Sequence, residues 1–123
     1  MMKRYLIEFG IGVDLHGGDC QKAARKALQN AVSHCCMAGL NDIFALTDPI
    51  QQMHLKIKVA VPKPEDVDAD LLLSEVGYSK ENTEITIVCG GMTEKRVHVD
   101  ALGKGDDIMI ADAVISVYVD PEA

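Results

Sequence analysis

The ionisable groups of the N-terminal segment gather among glycines in Glu8-Phe9-Gly10-Ile11-Gly12-Val13-Asp14-Leu15-His16-Gly17-Gly18-Asp19. Read as an extended strand, its side chains alternate between two faces. Tyr5, Ile7, Phe9, Ile11, Val13 and Leu15 make one apolar row, and Leu6, Glu8, Gly10, Gly12, Asp14 and His16 make the other. Asp14 and His16 then stand about 7 Å apart at the Cα level, near enough to share a metal ion or a substrate. Such a pair suits acid–base chemistry with Asp14 orienting His16, or a two-ligand platform for a divalent ion such as Zn²⁺. The plain alternative is that Asp14 caps the glycine turn and His16 is a satisfied polar residue. No third ligand is evident, since His34, His54 and His98 are each isolated. Glu8 is a candidate general base, or the ion-pair partner of a lysine. Gly10 and Gly12 weaken a strand interior, which calls for close approach of a ligand or of another backbone.

The residues that follow add further chemistry. Gly17, Gly18 and Asp19 turn the chain into a helix, and the free N–H groups from Gly18 to Gln21 are placed to collect an anion. Cys20 in the first turn would have its pKa lowered by the helix dipole and His16 nearby as base; a purely structural thiol is the alternative. A dinucleotide fingerprint is ruled out, because Leu15 occupies the place of the third glycine. Lys56 and Lys58 offer positive charge to a carboxylate or phosphate. With Ser116 they form a candidate Ser–Lys hydrolytic dyad, the alternative being solvated edge positions.

The elements that would position these groups are legible in the hydrophobic periods. A strand from about Lys3 to Leu15 leads through the Asp19 N-cap into a helix from Cys20 to about Ala38, stopped by Gly39. Ala24, Ala27, Leu28, Ala31, Val32 and Cys35 form its apolar stripe, and so many alanines imply a helix close against the sheet. Leu40 to Gln52 is less regular, with one short helical turn before Asp48-Pro49. Met53 to Val61 alternates as a strand and ends at Pro62 and Pro64. Asp66 or Asp68 caps a second helix, with Val67, Leu71 and Leu72 inward and Gly77 as its stop. Glu84 to Cys89 reads as a third strand, Glu94 to Val99 as a short returning arm, and Lys104-Gly105-Asp106-Asp107 as a turn before a long strand from Ile108 to Val119.

The order is β-α-β-α-β-β: an α/β (α+β) two-layer sandwich, residues 1–123 as a single domain, with an approximately four-stranded mixed sheet under helices on one face. The motif face of strand one, with Lys56 and Lys58, is expected to be the open face. Ile108, Ile110 and Val114 interrupt the polar row of Asp112, Ser116 and Tyr118, which favours a homo-oligomer interface over bare solvent.

Composition narrows the function classes. Hydrophobic residues make up 48% and charged ones 25%, ordinary for a soluble chain. A net charge of −7 argues against a nucleic-acid partner. No stretch reaches the roughly 18 to 20 apolar residues of a membrane span, and the early charges Lys3, Arg4 and Glu8 do not suit a signal peptide. The four cysteines give neither a disulfide framework nor a zinc knuckle, so reduced thiols in the cytoplasm are expected.

Gly10-x-Gly12-x-Asp14-x-His16-Gly17, an alanine-rich helix, and Lys56-Ile57-Lys58-Val59-Ala60-Val61-Pro62 resemble a family of conserved hypothetical proteins from bacteria and plants. The family is defined by a Gly-x-Gly-x-Asp-x-His-Gly motif, and the resemblance covers nearly the whole chain. It implies a compact domain with a shared site at Asp14 and His16, without naming a reaction. A shorter segment, Gly12-x-Asp14-x-His16, is similar to methylerythritol cyclodiphosphate synthases, where it implies two metal ligands; the histidine segment completing that site has no counterpart here.

Two functions are expected to compete. One is a small cytoplasmic enzyme, a hydrolase or lyase and metal-assisted if Zn²⁺ or another divalent ion binds at Asp14 and His16. It would act on a small polar metabolite, with Glu8 and Lys58 fixing the substrate and Gly10, Gly12, Gly17, Gly18 and Lys56 lining the site. The other is a non-catalytic oligomeric binder of a small anion.

Overall fold

The structure, a computed structural model, describes residues 1–96, 100–102 and 107–122. The five strands are β1 (Lys3–Asp14), β2 (Met53–Val61), β3 (Thr83–Cys89), β4 (Met92–Lys95) and β5 (Asp107–Val119). The described helices are α1 (Cys20–Ser33), α2 (Gly39–Asp42), α3 (Pro49–Gln52) and α4 (Ala69–Val76). The fold is α+β with a mixed sheet in the order β1-β5-β2-β3, and β4 pairs with β5 beyond the end of β2. Strand β5 runs antiparallel to β1 and β2, whereas β2 and β3 are parallel. His98 and the expected Lys104-Gly105-Asp106 turn lie outside the described residues, and of the expected returning arm only the part in β4 and Arg96 lies within them.

One face of the sheet is buried under α1 and α4. Leu55, Ile57, Val59 and Val61 of β2 and Met109, Ala111, Ala113, Ile115 and Val117 of β5 meet Ala23, Ala24, Ala27, Leu28 and Ala31 of α1 and Leu72 and Leu73 of α4. Strand β1 joins this layer by its glycine row. A Cβ on Gly10 would collide with the Ala27 carbonyl oxygen and the Ala31 nitrogen, and one on Gly12 with the Ala23 carbonyl and the Ala27 nitrogen. The glycines therefore serve close approach of another backbone, and the expected open-face position of Glu8, Gly10, Gly12 and Asp14 is corrected. The row that looked like core, Ile7, Phe9, Ile11 and Leu15, is exposed instead. Backbone contact between a helix and a strand requires side chains to be missing, and only the glycine row provides that.

Helix α1 is shorter than its periodicity suggests. It ends at Ser33, where the Ser33 hydroxyl donates to the Asn30 carbonyl (2.8 Å), a local competitor of the helical ladder. Val32, expected in the apolar stripe, is exposed within the last turn, and Gly39 begins α2 rather than stopping α1. Helix α4 starts at Asp68, whose carboxylate accepts the Leu71 N–H (3.0 Å), and stops at Gly77 with φ 78°, both as expected, although Leu71 faces outward. The two long helices are tied together by Glu75. It accepts from the Gln21 amide (2.9 Å) and pairs with Arg25 (3.0 Å).

Strand β1 pairs only with β5 among the described residues, so its outer edge needs protection. Side chains of α1 supply it: the Ile11 N–H donates to Asn30 Oδ1 (3.0 Å) and Lys26 Nζ donates to the Val13 carbonyl (3.1 Å). Among the described residues no helix is long and apolar enough to cross a membrane. Adding one methyl group as Gly12→Ala is expected to destabilise the protein by about 3 kcal/mol through overpacking, where an unobstructed strand glycine would instead gain stability. Urea unfolding of the variant beside the wild type measures the sign.

Candidate functional site

The Asp14-to-Asp19 segment is a helix entry. Strand β1 ends at Asp14, which is buried. Its Oδ2 accepts the N–H of Gly17 (3.2 Å) and of Asp19 (2.8 Å), folding the glycines back on the strand end. Gly18 takes φ 58°, a left-handed conformation that glycine adopts without strain. Asp19 then caps α1 by accepting the Lys22 N–H (3.2 Å). His16 is exposed beyond the end of the strand, so Asp14 and His16 do not share a sheet face. The alternation that paired them stops at Asp14, where the strand ends. Among the described residues no three His, Cys, Asp or Glu side chains converge on a point that could hold a metal ion.

Cys20 does not behave as a poised nucleophile. It is buried in the core, and burial pushes its thiol up, against the lowering effect of the Lys63 backbone hydrogen bond. Glu8 also lies on the helix side, buried beside Cys35 and across the sheet from Lys56 and Lys58. An ion pair or joint substrate contact between Glu8 and those lysines is therefore excluded by the thickness of the sheet. The Tyr78 phenol near Glu8 is pushed up to about 12, first by burial and then by the negative charge of Glu8.

The open face holds a different constellation. Lys56 and Lys58 of β2 face outward, and Lys56 stands directly opposite Ser116 of β5. Arg4 joins them because the pairing of β1 with β5 slips between Arg4 and Leu6, a bulge that turns Arg4 away from the Leu6 row. Its Nη2 donates to the Tyr118 hydroxyl (2.9 Å), and its guanidinium carbon lies 5.5 Å from the Tyr118 ring centre. Lys56 Nζ approaches the same ring at 5.2 Å. These residues, with Glu84, Thr86 and Val114, enclose a recess of about 430 Å3.

Glu84 is the acidic group of the recess, and it is already engaged by His54 at 2.7 Å. That hydrogen bond holds its carboxyl below the ordinary range, helped by the charges of His54 and Lys56. None of the described ion pairs includes Arg4, Lys56 or Lys58. Beside the recess runs the apolar row of β1, with Phe9 69% exposed and Ile11 54% exposed. Phe9 stands opposite Val114 and Ile7 opposite Ser116, so the row and the recess are continuous.

The sequence reading put Lys56, Lys58, Ser116 and Tyr118 on the open face and missed Arg4, Glu84 and Thr86 as their companions. Alternation alone carries no sign of the bulge that brings Arg4 round.

With this geometry in view, residues 4–117 match the Lin0512 family, described as conserved hypothetical proteins. The chain belongs to that family. A solved structure of an FtsZ-like protein of unknown function from Nostoc punctiforme is similar over 97% of this chain and 97% of its own, at 32% identity and a TM-score of 0.82. The bifunctional IspDF of Campylobacter jejuni is similar over 96% of this chain and 44% of its own, at 11% identity and a TM-score of 0.37, too slight a likeness to carry fold or function. No curated protein matches.

Two outcomes follow from this geometry. Asp14→Ala leaves two N–H groups at the helix entry without their acceptor and is expected to lower stability by about 1–3 kcal/mol in urea unfolding, with ligand binding on the open face unchanged. In an ultraviolet pH titration, one of the three tyrosines is expected to ionise near 12, and Tyr78→Phe to remove that step. Because this folded pKa lies above the unfolded value of about 10, the unfolded chain loses its proton first. The stability contributed by Tyr78 is thus complete below about pH 10 and declines as pH rises toward 12.

Proposed function

We propose that this protein is a homo-oligomeric binder of a small anionic metabolite, held on the open sheet face between Arg4, Lys56 and Lys58. The observation that carries the reading is that three cations border one recess and take part in no described ion pair, in a chain whose net charge is −7. Three cations against the one carboxylate of Glu84, itself bonded to His54, leave an excess of positive charge in the recess, which is unfavourable and which a bound carboxylate or phosphate would relieve. The guanidinium of Arg4 presents a planar fork suited to either group, and the lysines act as point charges. The hydroxyls of Thr86, Ser116 and Tyr118 supply neutral hydrogen bonds for orientation.

A second copy is the natural cover for the neighbouring apolar row. Ile7, Phe9 and Ile11 form a strip contiguous with the recess, and sheets bury such faces against one another in two-fold pairs. The basic recess of one copy also offers a complement to Asp112, which lies opposite Ile11 on the same exposed face. A cytoplasmic location fits the same reading, supported by four free cysteines.

Catalysis is a second reading with one specific observation in its favour, the direct cross-strand placement of Lys56 and Ser116. It would make Ser116 a nucleophile and Lys56 its base, a hydrolase site assembled without Asp14 or His16. The metal-assisted hydrolase or lyase reading draws less support, because Asp14 Oδ2 accepts two N–H groups of the helix entry and Glu8 faces the other side.

Calorimetric titration with phosphate and with citrate tests the reading. Lys58→Ala and Lys56→Ala are each expected to weaken binding about tenfold, the scale of one charge-assisted contact, and Phe9→Glu to shift the light-scattering mass to that of one chain. Wild type that binds neither anion ends the proposal; hydrolysis of an activated ester that disappears in Ser116→Ala moves the assignment to the enzyme.

A further inference from the structure

The helix side of the sheet contains a second concavity that the anion site does not use. It measures about 280 Å3 and opens between the end of α1, the start of β2 and the segment after α4. Its walls are mostly apolar, from Met37, Ile50, Met53 and Val117, while Glu8, Cys35 and Tyr78 contribute the chemically distinctive polar groups. The volume is just below the range of small-molecule sites, roughly 300–1,000 Å3, and suits a short ligand.

Glu8 is the residue that needs explaining. It is only 7% exposed, and none of the described ion pairs includes it. The thiol of Cys35 lies beside it, and the carboxylate raises the pKa of that thiol. A carboxylate offers about four lone-pair positions and a thiol is a weak donor, so the described neighbours leave most of its accepting capacity unused at the cavity wall. A buried carboxylate in that condition is unfavourable unless a cation or strong donor completes it.

We propose that this cavity is a binding site for a small organic cation of the primary alkylammonium class, with Glu8 holding the nitrogen and the methionine-rich wall holding the alkyl chain. An ammonium brings three N–H donors and a full charge to the group that lacks both. Methionine thioethers are polarisable and adapt to irregular ligands, and the Tyr78 ring adds an electron-rich surface at which cations are favoured. An anion is disfavoured by Glu8 itself. A metal ion is disfavoured because Glu8 and Cys35 have no third ligating group with them among the described residues. Cys35 is not a nucleophile in this arrangement. The hydrogen bond to Glu8 is the largest of the effects that push its thiol up, so it remains a neutral donor that the ammonium displaces.

The site lies on the opposite face of the sheet from the anion recess, so the two assignments stand or fall separately. The test is calorimetric titration of the full chain with n-butylammonium chloride and with n-butanol, its neutral counterpart. The wild type is expected to bind one butylammonium per chain, about tenfold or more tighter than butanol, and saturating phosphate should leave that binding unchanged. Glu8→Gln, close to isosteric, is expected to bring the two ligands level, and Val32→Phe at the exposed mouth to weaken both, with thermal melts confirming that each variant folds. Binding of butylammonium by folded Glu8→Gln as tightly as by wild type would overturn the proposal, as would absence of saturable binding to the wild type.

Discussion

The contact on which the rest of the structure depends is the seating of α1 directly on the backbone of β1. Gly10 and Gly12 have no side chains, and Ala23, Ala27 and Ala31 present almost none. Helix and strand therefore touch backbone to backbone, closer than the roughly 10 Å spacing ordinary side chains would impose on packed layers. That one approach decides which way β1 faces. It sends Glu8 and Asp14 inward with the glycines and forces Ile7, Phe9 and Ile11 outward.

The two candidate binding surfaces are consequences of that orientation. Inward-facing Glu8 becomes a carboxylate buried at the wall of an apolar cavity, because the glycine row must carry its neighbours with it. The apolar row, displaced to the open face, borders cations contributed by β2 and by the bulged start of β1. Strand β5 links both faces. Its small or aliphatic residues Ala111, Ala113, Ile115 and Val117 fill the core while Val114, Ser116 and Tyr118 line the recess.

Most of the architecture was legible because its signals are local. The alternation in Met53–Val61 and Ile108–Val119, the Asp19 and Asp68 caps and the Gly77 stop each depend on a few neighbouring residues, and each appears where its chemistry requires. The face of β1 was not legible by the same rule. Hydrophobic alternation places the apolar row inward, and only the pairing of strand glycines with helix alanines, which lie 11 to 21 residues later in the chain, reverses it. Both halves of that signal were visible, as glycines asking for close approach and alanines implying a close helix, but alternation outweighed them. The functional groups suffered in turn: Asp14 and His16 looked paired because alternation was carried past the strand end, and Arg4 was overlooked because a bulge has no composition of its own.

The position of β5 in the sheet has a kinetic meaning. The strand that lies between β1 and β2 is the last of the five in chain order, and the Arg4–Tyr118 contact joins residues 114 positions apart. As the chain is synthesised, β1 and β2 emerge long before either can find its antiparallel partner, and sheets closed by such distant contacts form slowly. During that interval β1, with Phe9 and its isoleucines, is the segment most open to wrong pairing. The glycine–alanine contact is the remedy available early, since α1 follows β1 after only a few residues. Its Asn30 and Lys26 can cover the outer edge of β1 while the inner edge waits. The motif that resembles a catalytic signature would then act as a chaperone within the chain, holding the first strand in readiness for the last.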